Sequence, residues 1–306
     1  MENKGEKGWP NLFLIGAPKC GTTSMSHYLA QHPDIFMSEK VGLKEPNFFN
    51  KDHDIHWRRI TTEEEYLALF RNAPRDIRYL GEASALYLYS RVAVKGILQC
   101  NPSARFIVML RNPMELAQSL FNQHLRAKAE NTSHFSKAWR LQGPRKSGLA
   151  SLPGQWRDAK LLQYGSIAKT GEQVRRLFEN VSRRQVHIVI YDDFSSNPRD
   201  TYLEVLRFLG LDDDGRREFP VLNRKNSYRS LFLADMLQRI SLIRERLGIR
   251  GGLGINALID RFNVVKGTRS NPLDNKVRSE MIAYFYDDVV LLSKLLNRDL
   301  LHWLKE

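Results

Sequence analysis

The sequence predicts an α/β fold in three layers, with a central parallel sheet flanked by helices. Three predominantly apolar runs, 11–16, 105–110 and 186–190, are typical of strands that are buried on both faces. Segments with helical periodicity alternate with these runs, as expected for parallel strands joined by helical crossovers. No internal repeat or composition boundary interrupts the 306 residues, so we expect one domain over 1–306.

The first strand ends in glycine, and a helix is predicted over 22–31. Its first residues carry hydroxyl side chains, which suit a helix N-terminus. The strand 105–110 leads into a helix that has Pro113 in its first turn, where proline is favoured, and that runs to about Arg126. Further helices are predicted over 63–71, 171–180, 202–209 and 281–296, the third of them ended by Gly210.

Two stretches are predicted to lie outside these elements. Residues 128–154 are polar and poorly periodic, so we expect a loop or a mobile insertion on the substrate side. Residues 248–254 contain four glycines and are interpreted as a flexible turn.

Composition limits the class of protein. Hydrophobic residues make up 42% and charged residues 26%, which is ordinary for a globular domain. The apolar runs are too short to cross a bilayer, the N-terminus lacks a signal-peptide pattern, and two cysteines form neither a disulfide framework nor a metal-ligand spacing. We therefore expect a cytoplasmic protein with no membrane span. The net charge of +13 favours anionic ligands, and no zinc-finger, RNP or helix-turn-helix signature predicts a nucleic-acid partner.

A phosphate-binding loop is indicated between the first strand and the first helix. It reads Gly16-Ala17-Pro18-Lys19-Cys20-Gly21-Thr22-Thr23-Ser24. Main-chain amides of such a loop and the helix N-terminus form a cradle for phosphate. Lys19 adds a positive charge, and the three hydroxyls add donors. The fold is therefore predicted to be of the P-loop type.

The loop departs from the Walker sequence of nucleotide triphosphatases. In that sequence the lysine directly follows the second glycine, whereas here Thr22 holds that place and Lys19 precedes the glycine. The strand 105–110 ends in Arg111 and not in an acid that would help to hold Mg²⁺. Asp192 and Asp193 follow the next strand, and we interpret them as loop or cap residues.

Three further segments complete the pattern. The first is Lys44-Glu45-Pro46-Asn47-Phe48-Phe49, the second is Arg111-Asn112-Pro113 with Ser119 eight residues after the arginine, and the third is Lys266-Gly267-Thr268-Arg269. Together with the loop, and in this order along nearly the whole chain, they resemble the sulfotransferases that use 3′-phosphoadenosine-5′-phosphosulfate (PAPS), of the bacterial and heparan-sulfate type. The threonine in the third segment departs from the Lys-Gly-Arg sequence of the heparan-type members.

The resemblance implies PAPS as donor, adenosine 3′,5′-bisphosphate as its product, and no metal. The residues implied to bind the nucleotide are Lys19, Cys20, Gly21, Thr22, Thr23 and Ser24 at the 5′-phosphate, Arg111 and Ser119 at the 3′-phosphate, and Lys266, Gly267, Thr268 and Arg269 in a closing loop. An arginine suits the 3′-phosphate because its planar fork matches phosphate oxygens.

The resemblance also implies catalytic roles. Glu45 is implied as the general base, since an acceptor hydroxyl must lose its proton as sulfur is attacked. Lys19 is expected to neutralise the leaving oxygen, and Lys44 or Lys266 to assist at the sulfuryl oxygens. Several relatives have a histidine four residues after the phosphate-binding serine. Here Gln123 holds that place and His124 follows it, so His124 is a further catalytic candidate.

Two other functions stay open at the level of sequence. A P-loop kinase for small molecules predicts Mg²⁺-dependent binding of ATP. A non-catalytic module for anions or nucleic acid predicts binding that weakens steeply with salt. The acceptor is also open: it is a hydroxyl or amine of a sugar, a lipid-linked sugar or another small molecule, and the basic surface suits an anionic one.

Overall fold

The computed structural model describes residues 8–54, 60–127, 129–154, 156, 158–222, 226–228, 264–266 and 273–305. It confirms the predicted α/β class. Five parallel strands form one sheet in the order β2-β3-β1-β4-β5. Their bounds are β1 Leu12–Leu14, β2 Ile35–Met37, β3 Tyr79–Glu82, β4 Arg105–Leu110 and β5 Val186–Ile190.

Helices connect and flank these strands. They are α1 Thr22–Ala30, α2 Glu63–Ala68, α3 Ala93–Cys100, α4 Pro113–Arg126, α5 Phe135–Lys146, α6 Tyr164–Ala168, α7 Thr170–Asn180, α8 Tyr191–Ser196, α9 Pro198–Leu209 and a C-terminal helix Asn275–Leu296. Short 3₁₀ turns lie at Ser38–Val41, Ala159–Leu162, Arg183–Gln185 and Leu301–Leu304. Each predicted helix is present, and the C-terminal helix begins nearly two turns earlier than its apolar pattern indicated.

The order of the strands positions the functional segments. β1 is central, with β3 on one side and β4 on the other. Parallel strands present their carboxyl ends at one edge of a sheet, and ligands bind there where the strand order reverses. The segments that follow β1, β3, β4 and β5 therefore meet at one edge. The phosphate loop and Arg111 both belong to that edge.

The stretch 128–154 corrects a prediction. We expected a loop or a mobile insertion, but this stretch contains helix α5. The helix is anchored by Arg145, whose guanidinium binds Glu130 through two hydrogen bonds of 2.8 and 2.6 Å, with both side chains 0% exposed. Gly143 and Pro144 lie inside the helix, and its mostly polar composition hides the helical period. The burial of Arg145 depends on tertiary packing, and no local sequence pattern predicts it.

The chain divides into two compact units, Met1–Pro220 with Asn275–Glu306, and Val221–Asp274. In the second unit the described residues form an antiparallel pair, β6 Asn226–Tyr228 and β7 Val264–Lys266, in which Asn226 lies opposite Lys266. The rest of the predicted closing loop, Gly267, Thr268 and Arg269, lies outside the described residues, as does the predicted glycine turn at 248–254. Within the described ranges, no helix is both long enough and apolar enough to cross a membrane.

Candidate active site

The phosphate loop has a conformation that requires its two glycines. Gly16 has φ +139°, and a Cβ atom there would lie 2.5 Å from the Ala85 carbonyl oxygen. Gly21 has φ +86° and forms the N-cap of α1, where a Cβ atom would lie 3.0 Å from the Phe194 ring. Residues that carry a side chain rarely adopt such φ values. Lys19 lies between the two glycines with φ +65°.

The start of α1 offers the binding groups that its sequence predicted. Among the described residues no side chain caps this helix and no acid lies in its first turn, so an anion at this end would meet the positive end of the helix dipole. Thr22 and Ser24 are largely buried and Thr23 is partly exposed. Cys20 is fully buried and its thiol donates to the Pro18 carbonyl oxygen at 3.5 Å. Burial raises the pKa of this thiol to about 12, so the thiol is un-ionised near pH 7.

The charges around Lys19 are unbalanced. Burial and the nearby Arg126, Lys44 and Arg111 lower the pKa of Lys19, and Glu45 opposes them. Within the described ranges, the Lys19 ammonium has no hydrogen-bond or ion-pair partner. Cations that lower one another's pKa are stabilised by a bound anion. The site is therefore suited to a polyanionic ligand.

The Lys44–Glu45 pair connects the second motif to the loop. Lys44 Nζ donates to Thr22 Oγ1 at 3.3 Å and to Glu45 Oε1 at 2.9 Å. The Glu45 side chain is 36% exposed, and that of Lys44 is 19% exposed. Glu45 is thus held beside the loop with part of its carboxylate accessible. This is the geometry expected of a base that must meet an incoming molecule.

Arg111 extends from the end of β4 into the same edge of the sheet. Its guanidinium lies 4.3 Å from the centre of the Tyr191 ring, and its Nη1 donates to the Lys19 carbonyl oxygen at 3.4 Å. It also forms an ion pair with Glu115, one turn into α4, through both Nε and Nη2. These contacts place Arg111 against the phosphate loop, with Glu115 as the anion that neutralises it.

Ser119 and His124 lie farther along α4. Ser119 is partly buried. His124 is buried against Trp156, at 5.1 Å between ring centres, and its Nδ1 lies 3.4 Å from Tyr164 Oη. Burial lowers the pKa of His124 to about 4, with Lys19 and Arg145 adding to the effect and Glu130 opposing it. The histidine is therefore neutral near pH 7.

The acids after β5 bind the C-terminal tail. Asp192 and Asp193 lie in the first turn of α8. Asp192 Oδ2 accepts from Trp303 Nε1 at 2.7 Å, and Asp193 forms an ion pair with Arg298. The Trp303 carbonyl oxygen in turn accepts from Asn112 Nδ2 at 2.9 Å, and Asn112 caps α4. The tail thus supports the helix that follows Arg111. In the described part of the chain no group of His, Cys, Asp or Glu side chains is placed to hold a metal ion.

A cavity of about 520 Å³ lies in the same unit as the loop. The rings of His53 and Tyr89 stack in its wall at 4.9 Å. The lining also includes five cationic and three acidic side chains, namely Arg91, Lys146, Lys160, Lys169 and Arg176 with Asp52, Asp158 and Glu172. Tyr89 directly follows Leu88, whose Cβ atom would lie 3.1 Å from a Cβ atom at Gly16 of the phosphate loop. Leu88 beside the phosphate loop and Tyr89 in the cavity wall are therefore neighbours in the sequence.

The family follows from a sequence comparison. A family model described as "Sulfotransferase domain" matches residues 10–228, a range that includes the loop, Glu45, Arg111, Ser119 and His124. The chain belongs to the sulfotransferase domain family. The resemblance stated from the motifs is confirmed.

This sulfotransferase domain has relatives along most of its length. It is 25% identical over 306 residues to the mouse bifunctional heparan sulfate N-deacetylase/N-sulfotransferase 4, covering 97% of the chain and 31% of that protein. It is 28% identical over 212 residues to the human heparan sulfate glucosamine 3-O-sulfotransferase 3A1, covering 68% of the chain and 46% of that protein. The chain thus spans less than half the length of these two relatives. A sulfotransferase from Alicyclobacillus acidocaldarius has the same fold, with a TM-score of 0.70 and 24% identity over 98% of this chain and 100% of its own.

Three residues near the candidate site were not among the residues predicted from the sequence. Tyr191 follows β5 directly, so the rule that sites form at the carboxyl ends of parallel strands would have found it. Glu82 ends β3, a strand of four residues that no apolar run announced. Arg126 is the last residue of α4, and only the direction of that helix brings its charge near Lys19.

Proposed function

We propose that the chain transfers a sulfuryl group from PAPS to a hydroxyl or amine of a sugar or another small molecule. The main support is the grouping of Lys19, Lys44 and Arg111 at the phosphate loop, where Lys44 Nζ lies 3.3 Å from Thr22 Oγ1 and Arg111 Nη1 lies 3.4 Å from the Lys19 carbonyl oxygen. A nucleotide with phosphates at its 3′ and 5′ positions carries the charge that this arrangement lacks. PAPS fits the residues present, because amides, a lysine and an arginine fork are grouped at one edge of the sheet.

Residues of the chain divide the work in this proposal. The first amides of α1 with Thr22 and Thr23 hold the 5′-phosphate end, and Arg111 with Ser119 holds the 3′-phosphate. When bound, the donor supplies a sulfur atom whose bond to the bridging oxygen breaks as the acceptor oxygen or nitrogen bonds to it. Lys19 neutralises the charge that develops on that bridging oxygen.

Glu45 takes the proton of the acceptor in the same step. Its ion pair with Lys44 at 2.9 Å holds the carboxylate beside the loop. Since Lys44 also bonds Thr22 at 3.3 Å, one side chain ties the base to the loop that holds the donor. His124, which packs against Trp156 with its Nδ1 3.4 Å from Tyr164 Oη, stays a candidate for a catalytic role.

The acceptor is proposed to bind in the cavity beside His53 and Tyr89. Aromatic walls with polar groups are typical of small-molecule sites, and the excess of five cations over three acids in the lining suits an acceptor that carries carboxylate or sulfate groups. The names of the relatives, which refer to heparan sulfate and its glucosamine, support a sugar acceptor. The closing role of Lys266, Gly267, Thr268 and Arg269 and a cytoplasmic location stay predictions.

Nucleotide binding tests the donor. Calorimetric titration should show adenosine 3′,5′-bisphosphate binding without Mg²⁺ and more tightly than adenosine 5′-phosphate. Arg111→Ala should weaken the bisphosphate by about 10- to 100-fold, the value of one charged hydrogen-bonding pair, and leave the monophosphate unchanged. Arg105→Ala is the matched control, because Arg105 lies at the opposite end of β4 and stacks on Phe208 at 5.3 Å.

Other outcomes separate the alternative functions. Tight ATP binding that depends on Mg²⁺ would favour a kinase, and equal effects of the two arginine variants would contradict the 3′-phosphate role. Turnover is then measured with labelled PAPS and de-N-sulfated heparan sulfate, N-acetylglucosamine and 4-nitrophenol as acceptors. Lys19→Ala and Glu45→Gln should both lose turnover, and Glu45→Gln should keep nucleotide binding. Full activity of Glu45→Gln would remove Glu45 from the mechanism.

A further inference from the structure

A buried carboxylate lies close to residues 44–49, the Glu45 segment. Glu82 ends β3, is 0% exposed, and accepts hydrogen bonds from three hydroxyl groups. Tyr66 Oη and Tyr87 Oη donate to its Oε1 at 2.8 and 2.9 Å, and Ser84 Oγ donates to its Oε2 at 2.5 Å. Burial raises the pKa of Glu82 to about 7, although the three hydroxyls oppose this. A group as costly to bury as this one calls for a structural or functional reason.

Two of these hydroxyls also bind the main chain of the Glu45 segment. Ser84 Oγ accepts from Asn47 N at 3.0 Å, and Tyr87 Oη accepts from Phe49 N at 3.2 Å. A hydroxyl has one hydrogen, so donating it to Glu82 turns the oxygen lone pairs toward other donors. Glu82 therefore sets the direction in which both hydroxyls accept.

The segment is held at its other end as well. Ala83 N, directly after Glu82, donates to the Lys44 carbonyl oxygen at 3.3 Å. Asn47 has φ +52°, a conformation uncommon for residues other than glycine, and its Nδ2 donates to the Glu45 carbonyl oxygen at 3.2 Å. The main chain on both sides of Glu45 is thus attached to the end of β3.

We propose that Glu82 is a positioning residue that holds the Glu45 main chain through the hydroxyls of Ser84 and Tyr87. This inference rests on the proposed function, in which Glu45 is the base. A base must lie within hydrogen-bond reach of the proton that it takes, and a shift of about 1 Å can cost about 100-fold in rate. The geometry provides three fixed points within six residues of chain, enough to prevent such a shift.

A matched pair of tyrosine variants tests the proposal. Tyr87→Phe and Tyr66→Phe each remove one hydroxyl from the same Glu82 oxygen and keep the ring. Only the Tyr87 hydroxyl also binds the Glu45 segment among the contacts of the described residues. We expect faster hydrogen exchange over the peptide 44–50 in Tyr87→Phe alone, measured by mass spectrometry. With labelled PAPS and de-N-sulfated heparan sulfate, kcat should fall about 10-fold or more in Tyr87→Phe and stay within about two-fold in Tyr66→Phe, with the KM for PAPS unchanged in both.

Exchange needs no acceptor, so it decides the proposal even if this polysaccharide is not turned over. Equal exchange over 44–50 in both variants, or no change in either, would overturn it. Ser84→Ala is the second variant and is used if Tyr87→Phe does not fold. It removes the acceptor for Asn47 N, so we expect faster exchange over 44–50 in this variant as well. The two levels of inference fail separately. Absent binding of adenosine 3′,5′-bisphosphate refutes the proposed function, and a fully active Glu45→Gln removes Glu45 from the mechanism. An impaired Glu45→Gln beside a normal Tyr87→Phe refutes only the positioning role.

Discussion

Arg145→Met should destabilise the protein strongly, because it leaves a buried carboxylate without its cation. Arg145 and Glu130 are each 0% exposed and share two hydrogen bonds. Removing one partner of a buried ion pair typically costs about 3–5 kcal/mol of the free energy of unfolding. The pair also joins α5 to the segment that leads into it, so its loss should loosen the part of the chain that resembles an insertion in sequence.

The structure favours the lower end of that range. Without Arg145, the Glu130 carboxylate keeps hydrogen bonds from Tyr164 Oη at 2.8 Å and from the amides of Asn131 and Thr132 at 2.8 and 3.1 Å. These donors reduce the cost of the unpaired charge, so we expect a loss of about 3 kcal/mol. In a domain of this size each kcal/mol lowers the melting temperature by about 2–4 °C, which gives a shift of about 6–12 °C.

The assay is thermal and urea unfolding followed by circular dichroism. Arg140→Met is the matched control, because Arg140 lies on the same helix and pairs with Glu280 at 3.1 Å, with the two side chains 50% and 36% exposed. Such a surface pair is worth about 0–1 kcal/mol. The double variant Glu130→Leu with Arg145→Met should regain stability relative to Arg145→Met, since no unpaired charge remains.

A melting temperature of Arg145→Met within about 1 °C of that of Arg140→Met would refute the reasoning. Further loss of stability in the double variant relative to Arg145→Met would show that the hydrogen bonds that Glu130 accepts from Tyr164 Oη and from the Asn131 and Thr132 amides are worth more than the apolar contacts replacing them.

Three other predictions follow from the site. Glu115→Gln removes the anion that is paired with the Arg111 guanidinium. In calorimetry the Kd for adenosine 3′,5′-bisphosphate should therefore fall about three-fold, with no change for adenosine 5′-phosphate. An unchanged Kd would mean that Glu115 and the 3′-phosphate do not compete for Arg111. Because the pKa of His124 is lowered to about 4 in the folded protein, the unfolded chain binds more protons than the folded one between pH 4 and 6.5. Stability should therefore fall as pH falls through this window, and His124→Asn should make the urea midpoint depend less on pH. An unaltered slope of the midpoint against pH contradicts this. Cys20 should resist iodoacetamide in the native protein while the partly exposed Cys100 reacts, and rapid alkylation of Cys20 in peptide mass spectra would contradict its burial.

The sequence alone determined the elements that local chain signals specify. Strands β4 and β5 are predominantly apolar runs, and both were predicted to the residue. The phosphate loop was equally clear, since a strand end, two glycines and a hydroxyl-rich helix start are adjacent in the chain. Strands β2 and β3, of three and four residues, were missed because runs this short carry too little periodicity to be distinguished from loops.

Only the tertiary structure decided which charges meet. Placing β1 between β3 and β4 brings the Glu45 segment, the loop and Arg111 to one edge, and no local propensity encodes that order. The same holds for Glu82 and Arg145, whose sequence neighbourhoods resemble those of exposed residues. The physical reason is that a buried charge is stabilised by partners that are distant in sequence, and these partners meet only once the strands and helices have packed.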